Sequence, residues 1–270
     1  MSQLTPPVRI ALFGATGRMG RSLIRAIHES PEFELVAAVV SASSPVLGVD
    51  AGTSAGLSAP VGITLTDDVG AGLAQADIAI DFSVAGAVAA HLEACVAAGV
   101  GLVVGTTGLA AETLLAVDAA SESIPVIVAA NTSIGVNLLS QLIERASASL
   151  PKDYDIEVFE AHHRYKVDAP SGTALQLGAA AARGRGETLE RVDLDRRGAR
   201  TAGSIGFSVL RAGDIVGEHT VYFAGPGERI EITHRAHDRM TFAYGALRAA
   251  AWLSRQSAGR YAMTDVLGLG

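Results

Sequence analysis

The sequence predicts an α/β chain: a doubly wound parallel sheet, then a second α+β domain on an open, mostly antiparallel sheet. Three observations carry this expectation. Short β-rich apolar runs alternate with Ala/Leu-rich helical segments up to about residue 130. Strand-like runs separated by turn signals dominate the later part, and a glycine motif joins the first strand to the first helix.

In chain order, "VRIALFG" (Val8–Gly14) reads as a buried strand, Arg18–Glu29 as a helix ending before Pro31, and "FELVAAVV" (Phe33–Val40) as a second strand. "ADIAIDFS" (Ala76–Ser83) leads into an Ala-rich helix ending near Ala98. "VGLVVGTTG" (Val100–Gly108) precedes a helix near Ala110–Ser121, and "IPVIVAAN" (Ile124–Asn131) closes the pattern. Such alternation demands crossover connections, hence parallel strands covered on both faces, with ligands at the carboxyl ends of the strands. From about Ser133 the pattern changes. One helix stops before Pro151, and "YDIEVFEA", "SIGFSVLR", "EHTVYFA" and "ERIEITHRA" follow as strands between turns such as Ala212-Gly213-Asp214. The exposed face of such a sheet is a liability in a monomer, which points to pairing with another subunit. The Arg- and Gly-rich segment Arg183–Gly203 reads as a mobile surface connection, and Met240–Ser254 returns to helix with Trp252 as a packing anchor.

Composition narrows the function. Apolar residues make up 49% of the 270 residues, ample for a core. A net charge of −7 argues against nucleic acid or an anionic membrane as partner, so an anionic ligand needs local donors. No apolar run approaches the roughly 20 residues of a membrane span, and Met1–Val8 lacks signal-peptide character, so a cytoplasmic location is expected. The single cysteine, Cys95, shares a helical face with Val88 and Leu92 and reads as a buried structural thiol.

"GATGRMG" (Gly14–Gly20) sits between a strand and a helix, the context of a Rossmann-type dinucleotide loop. Glycine allows the tight turn and the approach of backbone amides to a pyrophosphate, and the helix start adds favourable partial charge. Arg18 is a further phosphate partner. The acidic residue that usually ends the second strand is missing: Val40 stands there, followed by Ser41. A ribose 2′-phosphate meets no repulsion, and Ser41, Ser43 and Arg18 are candidate donors to it, so NADPH is expected in preference to NADH. Gly105–Gly108 and Ala129–Ser133 supply nicotinamide-side candidates at two further strand ends.

"EAHHRYKVDAPSGTA" (Glu160–Ala174) carries the remaining chemistry. Adjacent histidines on a strand point to opposite faces, and no Cys or spaced His completes a ligand set, so no metal is expected. Pro170 blocks an earlier helix, Ser171 is a good N-cap, and Gly172 and Thr173 bring backbone amides to the helix mouth, a site suited to a small carboxylate. His163 and Lys166 flank it in sequence; Lys166 is a proton-donor candidate. His162 is a second acid–base group or an orienting one.

Together with "DFS", "GTTG", "AANTSIGVN" and "RAGDIVGEHTVYFAGPGERIEITHRA", these motifs resemble the 4-hydroxy-tetrahydrodipicolinate (dihydrodipicolinate) reductase family, colinearly over nearly the whole chain. The resemblance implies a homotetramer assembled through the second domain, with domains at 1–132 and 133–240 and a C-terminal helix, 241–270, returning to the first. It implies NAD(P)H-dependent reduction of a small cyclic dicarboxylate with release of water, in lysine and diaminopimelate biosynthesis. By position, His162 and Lys166 are the implied proton handlers, and His163, Gly172 and Thr173 the substrate contacts. The implied cofactor contacts are Gly14, Ala15, Thr16, Gly17, Arg18, Met19, Gly105, Thr106, Thr107, Ala129, Ala130, Asn131 and Thr132, beside the Ser41 inferred above. Thr132 departs from the family, in which an aromatic is common. The alternatives are another Rossmann reductase of amino or keto dicarboxylates, or an NADP-sensing regulator without turnover.

Overall fold

The computed structural model describes residues 6–190, 192, 194 and 198–269. They fall into two compact units: the chain up to Ser133 with Met240–Gly268, and Ile134–Arg239.

The first unit opens with β1 (Val8–Phe13), α1 (Arg18–Glu29), β2 (Phe33–Val39), α2 (Ala51–Ala55), β3 (Leu65–Thr66), α3 (Val69–Leu73) and β4 (Ile78–Asp81). It continues through α4 (Val88–Ala98), β5 (Gly101–Val104), α5 (Ala111–Ser121) and β6 (Pro125–Val128). The second unit contains α6 (Ile134–Ser149), β7 (Asp155–His162), α7 (Gly172–Gly184), β8 (Ile205–Arg211), β9 (Gly217–Gly225) and β10 (Glu228–Ala236). The chain then returns to the first unit as α8 (Met240–Leu253), β11 (Gly259–Tyr261) and α9 (Met263–Leu267).

The first unit's seven strands are ordered β11-β6-β5-β4-β1-β2-β3, every adjacent pair parallel. Strand alternation divides its core in two. Ile10 and Leu12 meet Leu23, Ile24 and Ile27 of α1 and Ala246 and Ala250 of α8 on one face. Ala11 and Phe13 meet Val88, Leu92 and Cys95 of α4 and Val117 of α5 on the other. Cys95 is fully buried and its thiol is pushed up to about 12 by burial, as befits a packing residue. Trp252 packs edge-on to Tyr261, ring centroids 5.1 Å apart.

The second unit's four strands run β10-β9-β7-β8, with β7 and β8 parallel and the other pairs antiparallel. Ile156, Val158, Phe207, Val221 and Phe223 face α6 and α7. Gly178 of α7 lets that helix lie close, since a Cβ there would stand 2.5 Å from the Phe207 ring. Among the described residues both helices cover this face; the opposite one carries Glu157, Thr220, Tyr222, Thr233 and Arg235.

Short elements escaped the sequence reading. The edge strands β3 and β11 and the one-turn helices α2, α3 and α9 are too brief to show a period. Expected strands also ran long: Val100–Gly108 contracts to Gly101–Val104, because pairing with β4 and β6 ends at Val104. Within Arg183–Gly203, the expected mobile connection, Arg183 and Gly184 instead close α7. Arg191, Asp193 and Asp195–Arg197 of that segment lie outside the described residues.

Gly245 fixes how α8 meets the end of the first unit's sheet. A Cβ there would stand 1.9 Å from the Thr132 carbonyl oxygen. Gly245→Ala is therefore expected to destabilise by about 1–3 kcal/mol or more, against the ~1 kcal/mol that alanine gains in an unhindered helix. Gly70→Ala in α3, whose Cβ would meet only Asp68 Oδ1 at 3.7 Å, is the unhindered control. Urea midpoints moving in opposite directions for the two variants check this.

Candidate active site

In the first unit, β1 is followed by Gly14, whose φ of +76° and approach to Phe82 (a Cβ would lie 2.6 Å from its carbonyl oxygen) admit only glycine. Gly20 brings α1 equally close to that loop, its Cβ position 2.3 Å from the Gly14 oxygen. Gly17 caps α1 without a side-chain hydrogen bond, and the first turn holds no acidic residue. The first-turn amides thus suit an anion, and the loop fits a dinucleotide pyrophosphate. Beside it lies a cavity of about 470 Å³ lined by Gly14, Thr16, Gly17, Val40, Ser41 and His91, among others. Val40 is buried; Ser41 is exposed, its hydroxyl 2.9 Å from that of Ser43. Arg18 is exposed at the start of α1, and Ala15 and Met19 pack into the core.

Asp81 organises the adjoining strand ends. This fully buried carboxylate accepts from Ser83 N (2.8 Å), Ser83 Oγ (2.6 Å), His91 Nδ1 (2.7 Å) and Thr106 Oγ1 (2.9 Å). Burial alone would raise its pKa; the hydrogen bonds from His91 and Ser83 outweigh that and hold it low. Gly105 leaves room for the Phe82 ring, 2.3 Å from where a Cβ would stand. Thr107 and Ala130 are exposed at their strand ends, Ala129 is buried, and Asn131 Oδ1 accepts from Ser133 N at 2.9 Å. The Thr132 side chain is committed elsewhere: it is buried and its hydroxyl donates to the Phe242 carbonyl at 2.7 Å.

In the second unit, Glu160 and His162 lie on the helix-facing side of β7, opposite His219 of β9 and Val209 and Arg211 of β8. Glu160 is fully buried. Its Oε2 accepts from His162 Nδ1 (2.6 Å) and Arg211 Nη1 (2.7 Å), and its Oε1 from the Ser171 amide (2.9 Å) and Arg211 Nη2 (2.8 Å). Burial would raise its pKa, but the bonds from His162, Arg211 and Ser171 hold it down at about 2. An ionised carboxylate only accepts, so His162 Nδ1 carries the proton and Nε2 is its working nitrogen. Gly217 borders that nitrogen; a Cβ there would stand 3.1 Å from it.

Ser171 caps α7: its Oγ accepts from the Ala174 amide (3.1 Å) and lies 3.0 Å from His219 Nε2. Gly172 is exposed at the helix mouth, with nothing within 4 Å of where its Cβ would stand, and the amides of Gly172 and Thr173 precede the first intrahelical bond. Burial, and then the neighbouring His162, lower His219 to about 3 and keep it neutral. The His162 and His219 rings meet edge-on at 5.1 Å. Lys166 Nζ sits 2.7 Å from both oxygens of Asp168. The structure thus joins His162 to the α7 mouth through Glu160. His163 stands one residue past β7, its ring 6.4 Å from that of Tyr165.

Asp81, His91, Arg211 and His219 were not singled out from the sequence. Glu160 was readable as sharing a face with His162, two residues on, but its partners come from other strands. Among the described residues, no group of three or more His, Cys, Asp or Glu is placed to hold a metal ion, and no helix is long and apolar enough to cross a membrane.

Comparison with known proteins places this geometry in a family. Residues 8–132 match the model for dihydrodipicolinate reductase, N-terminus, and residues 135–267 that for its C-terminus. The 4-hydroxy-tetrahydrodipicolinate reductase of Alkalilimnicola ehrlichii is 53% identical over 265 residues, covering 97% of this chain and 99% of that one. The enzyme of the same name from Methylococcus capsulatus is 48% identical over 266 residues, covering 97% and 98%. A dipicolinate-bound dihydrodipicolinate reductase structure from Paenisporosarcina sp. TG-14 shares the fold with a TM-score of 0.78 at 24% identity, covering 96% of this chain and 98% of that one. An amine dehydrogenase from Mycobacterium smegmatis shares it more loosely, at 0.60 and 14%, covering 94% of each chain. With both family models matched end to end and relatives about half identical along the full length, this chain belongs to the dihydrodipicolinate reductase family.

Proposed function

We infer that the protein is an NAD(P)H-dependent oxidoreductase of lysine and diaminopimelate biosynthesis, reducing 4-hydroxy-tetrahydrodipicolinate to tetrahydrodipicolinate with release of water. The observation that carries this is the relationship itself: about half of all positions are identical over 97% of the chain. The reading of an NADP-sensing regulator leaves the buried Glu160–His162 pair and the α7 mouth without a task, and it falls away.

Within that activity, we read the site as follows. The loop Gly14–Met19 with Arg18 holds the cofactor phosphates, and Gly105–Thr107 and Ala129–Thr132 border the nicotinamide; for Thr132 this leaves only backbone contact. The cofactor supplies hydride. The amides of Gly172 and Thr173, with His163, hold a substrate carboxylate. Hydride addition to the unsaturated ring leaves electron density that the Lys166 ammonium stabilises and then protonates. Asp168 fixes Lys166 in place; His162 Nε2, backed by Glu160, exchanges a proton with the substrate.

NADPH is the preferred cofactor in this reading, because no carboxylate ends β2 and Ser41 offers a hydroxyl beside the cavity. A homotetramer built on the helix-free face of the second sheet, a cytoplasmic location and no nucleic-acid partner complete the proposal.

An assay coupled to the synthase that makes the substrate, run with each nucleotide, tests the activity; absence of substrate-dependent oxidation of both overturns it. Lys166→Ala is expected to lower kcat by about a hundredfold or more while cofactor Kd stays within about twofold; kcat within about threefold of wild type removes Lys166 from the acid role. Ser41→Glu is expected to weaken NADPH by about tenfold and leave NADH nearly unchanged, read from fluorescence titrations. Equal losses for both nucleotides contradict the preference.

A further inference from the structure

We propose that Arg211 is a positioning residue: by gripping the buried Glu160 carboxylate, it holds His162 and the anion-binding mouth of α7 in one arrangement. The inference rests on the roles proposed above for His162, Gly172 and Thr173.

Arg211 ends β8 in register with His162 and on the same face. Its fork places one nitrogen on each oxygen of Glu160, Nη1 at 2.7 Å and Nη2 at 2.8 Å. Each oxygen serves one further partner: Oε2 takes the His162 Nδ1 proton and Oε1 takes the amide of Ser171, the α7 cap. Nη2 also donates to the carbonyl of Asp168, whose carboxylate holds Lys166. One planar guanidinium therefore touches the supports of the acid–base histidine, the helix mouth and the lysine. A lysine at 211 would bring a point charge without the fork.

The charges around the pair make Arg211 its main counter-ion. His219 on β9 is kept neutral, and His234, opposite it on β10, is lowered by burial. Lys166 is occupied by Asp168, and the first turn of α7 carries no acidic residue. Without Arg211, the Glu160 charge is balanced by no guanidinium, so the pH limb of catalysis that depends on this pair would lie higher. A residue that only braced the fold would not move that limb.

Kinetics of Arg211→Met and Arg211→Lys across pH, beside His162→Gln, test this. Far-UV circular dichroism and the urea midpoint serve as the fold control, because Arg211 belongs to the second unit and the nucleotide loop to the first. His162→Gln identifies the limb of the kcat/KM profile that depends on His162. In Arg211→Met that limb is expected to move up by about one pH unit, with kcat down about a hundredfold and substrate KM raised. Arg211→Lys is expected to return the limb towards its wild-type position while recovering less than about a tenth of kcat. A folded Arg211→Met with the limb unmoved overturns the inference, whatever its kcat. Should Arg211→Met fail to fold, Arg211→Lys decides: kcat within about threefold of wild type overturns the inference. A His162→Gln enzyme with unchanged kcat and profile overturns the roles proposed above along with it, whereas an affected His162→Gln beside an unmoved Arg211→Met limb overturns this inference alone.

Discussion

A carboxylate with no exposure to water has to be satisfied on every side, and Glu160 imposes that constraint on the second unit. Removing such a charge from water costs several kcal/mol unless good donors replace the lost solvent. Here the donors come from β7, β8 and the start of α7, and each is fixed in turn by the register of its own element. The strand pairing that aligns His162 with Arg211 is therefore also what sets the separation between an imidazole and a helix mouth. Neither strand alone could do so. The stabilisation spent on ionising a buried group returns as rigidity where the chemistry needs it.

The first unit uses a related arrangement for another end. Asp81, at the carboxyl end of β4, is also fully buried and also binds a histidine through Nδ1. Its other donors, Ser83 and Thr106, belong to the loops after β4 and β5. His91 is held between that carboxylate and the Phe13 ring, stacked at 4.1 Å, so it forms a fixed wall of the cavity beside the glycine loop. The difference lies in the neighbouring cation: Glu160 has a bidentate arginine, whereas among the described residues Asp81 has His91 with hydroxyl and amide donors.

How much of this was legible follows from what determines each feature. The glycine loop, the parallel sheet and the α7 cap are local: Gly14, Gly17, Pro170 and Ser171 act within a few residues, and composition and period reveal them. The Arg211–Glu160 grip is not local, since 51 residues separate the partners. Nothing in "VLRAGD" says that its arginine turns to the helix side, because that depends on the parallel register of β8 beside β7. Likewise, alternation treats His162 and His163 together, whereas β7 ends at His162 and His163 lies beyond the strand. Alternation could not say which of them shared a side with the α7 mouth, since the Ser171 amide joins that side only through Glu160. Gly217 and Gly245 look like any other glycine until another backbone or ring is brought against them.

The chain as a whole carries a charge of −7, yet both of its proposed ligands are anions, so attraction has to come from short-range dipoles. The two helix mouths differ in how they supply them. At α1 the cap is a glycine without a side-chain bond, which leaves the first-turn amides to the ligand and suits the several oxygens of a pyrophosphate. At α7 the Ser171 hydroxyl already takes the Ala174 amide, and the Glu160 carboxylate takes that of Ser171 itself. The exposed Gly172 leads that mouth, a smaller complement that matches a single carboxylate. The choice of cap residue thereby sorts two anions between two helices, one by leaving donors open and the other by engaging some of its own.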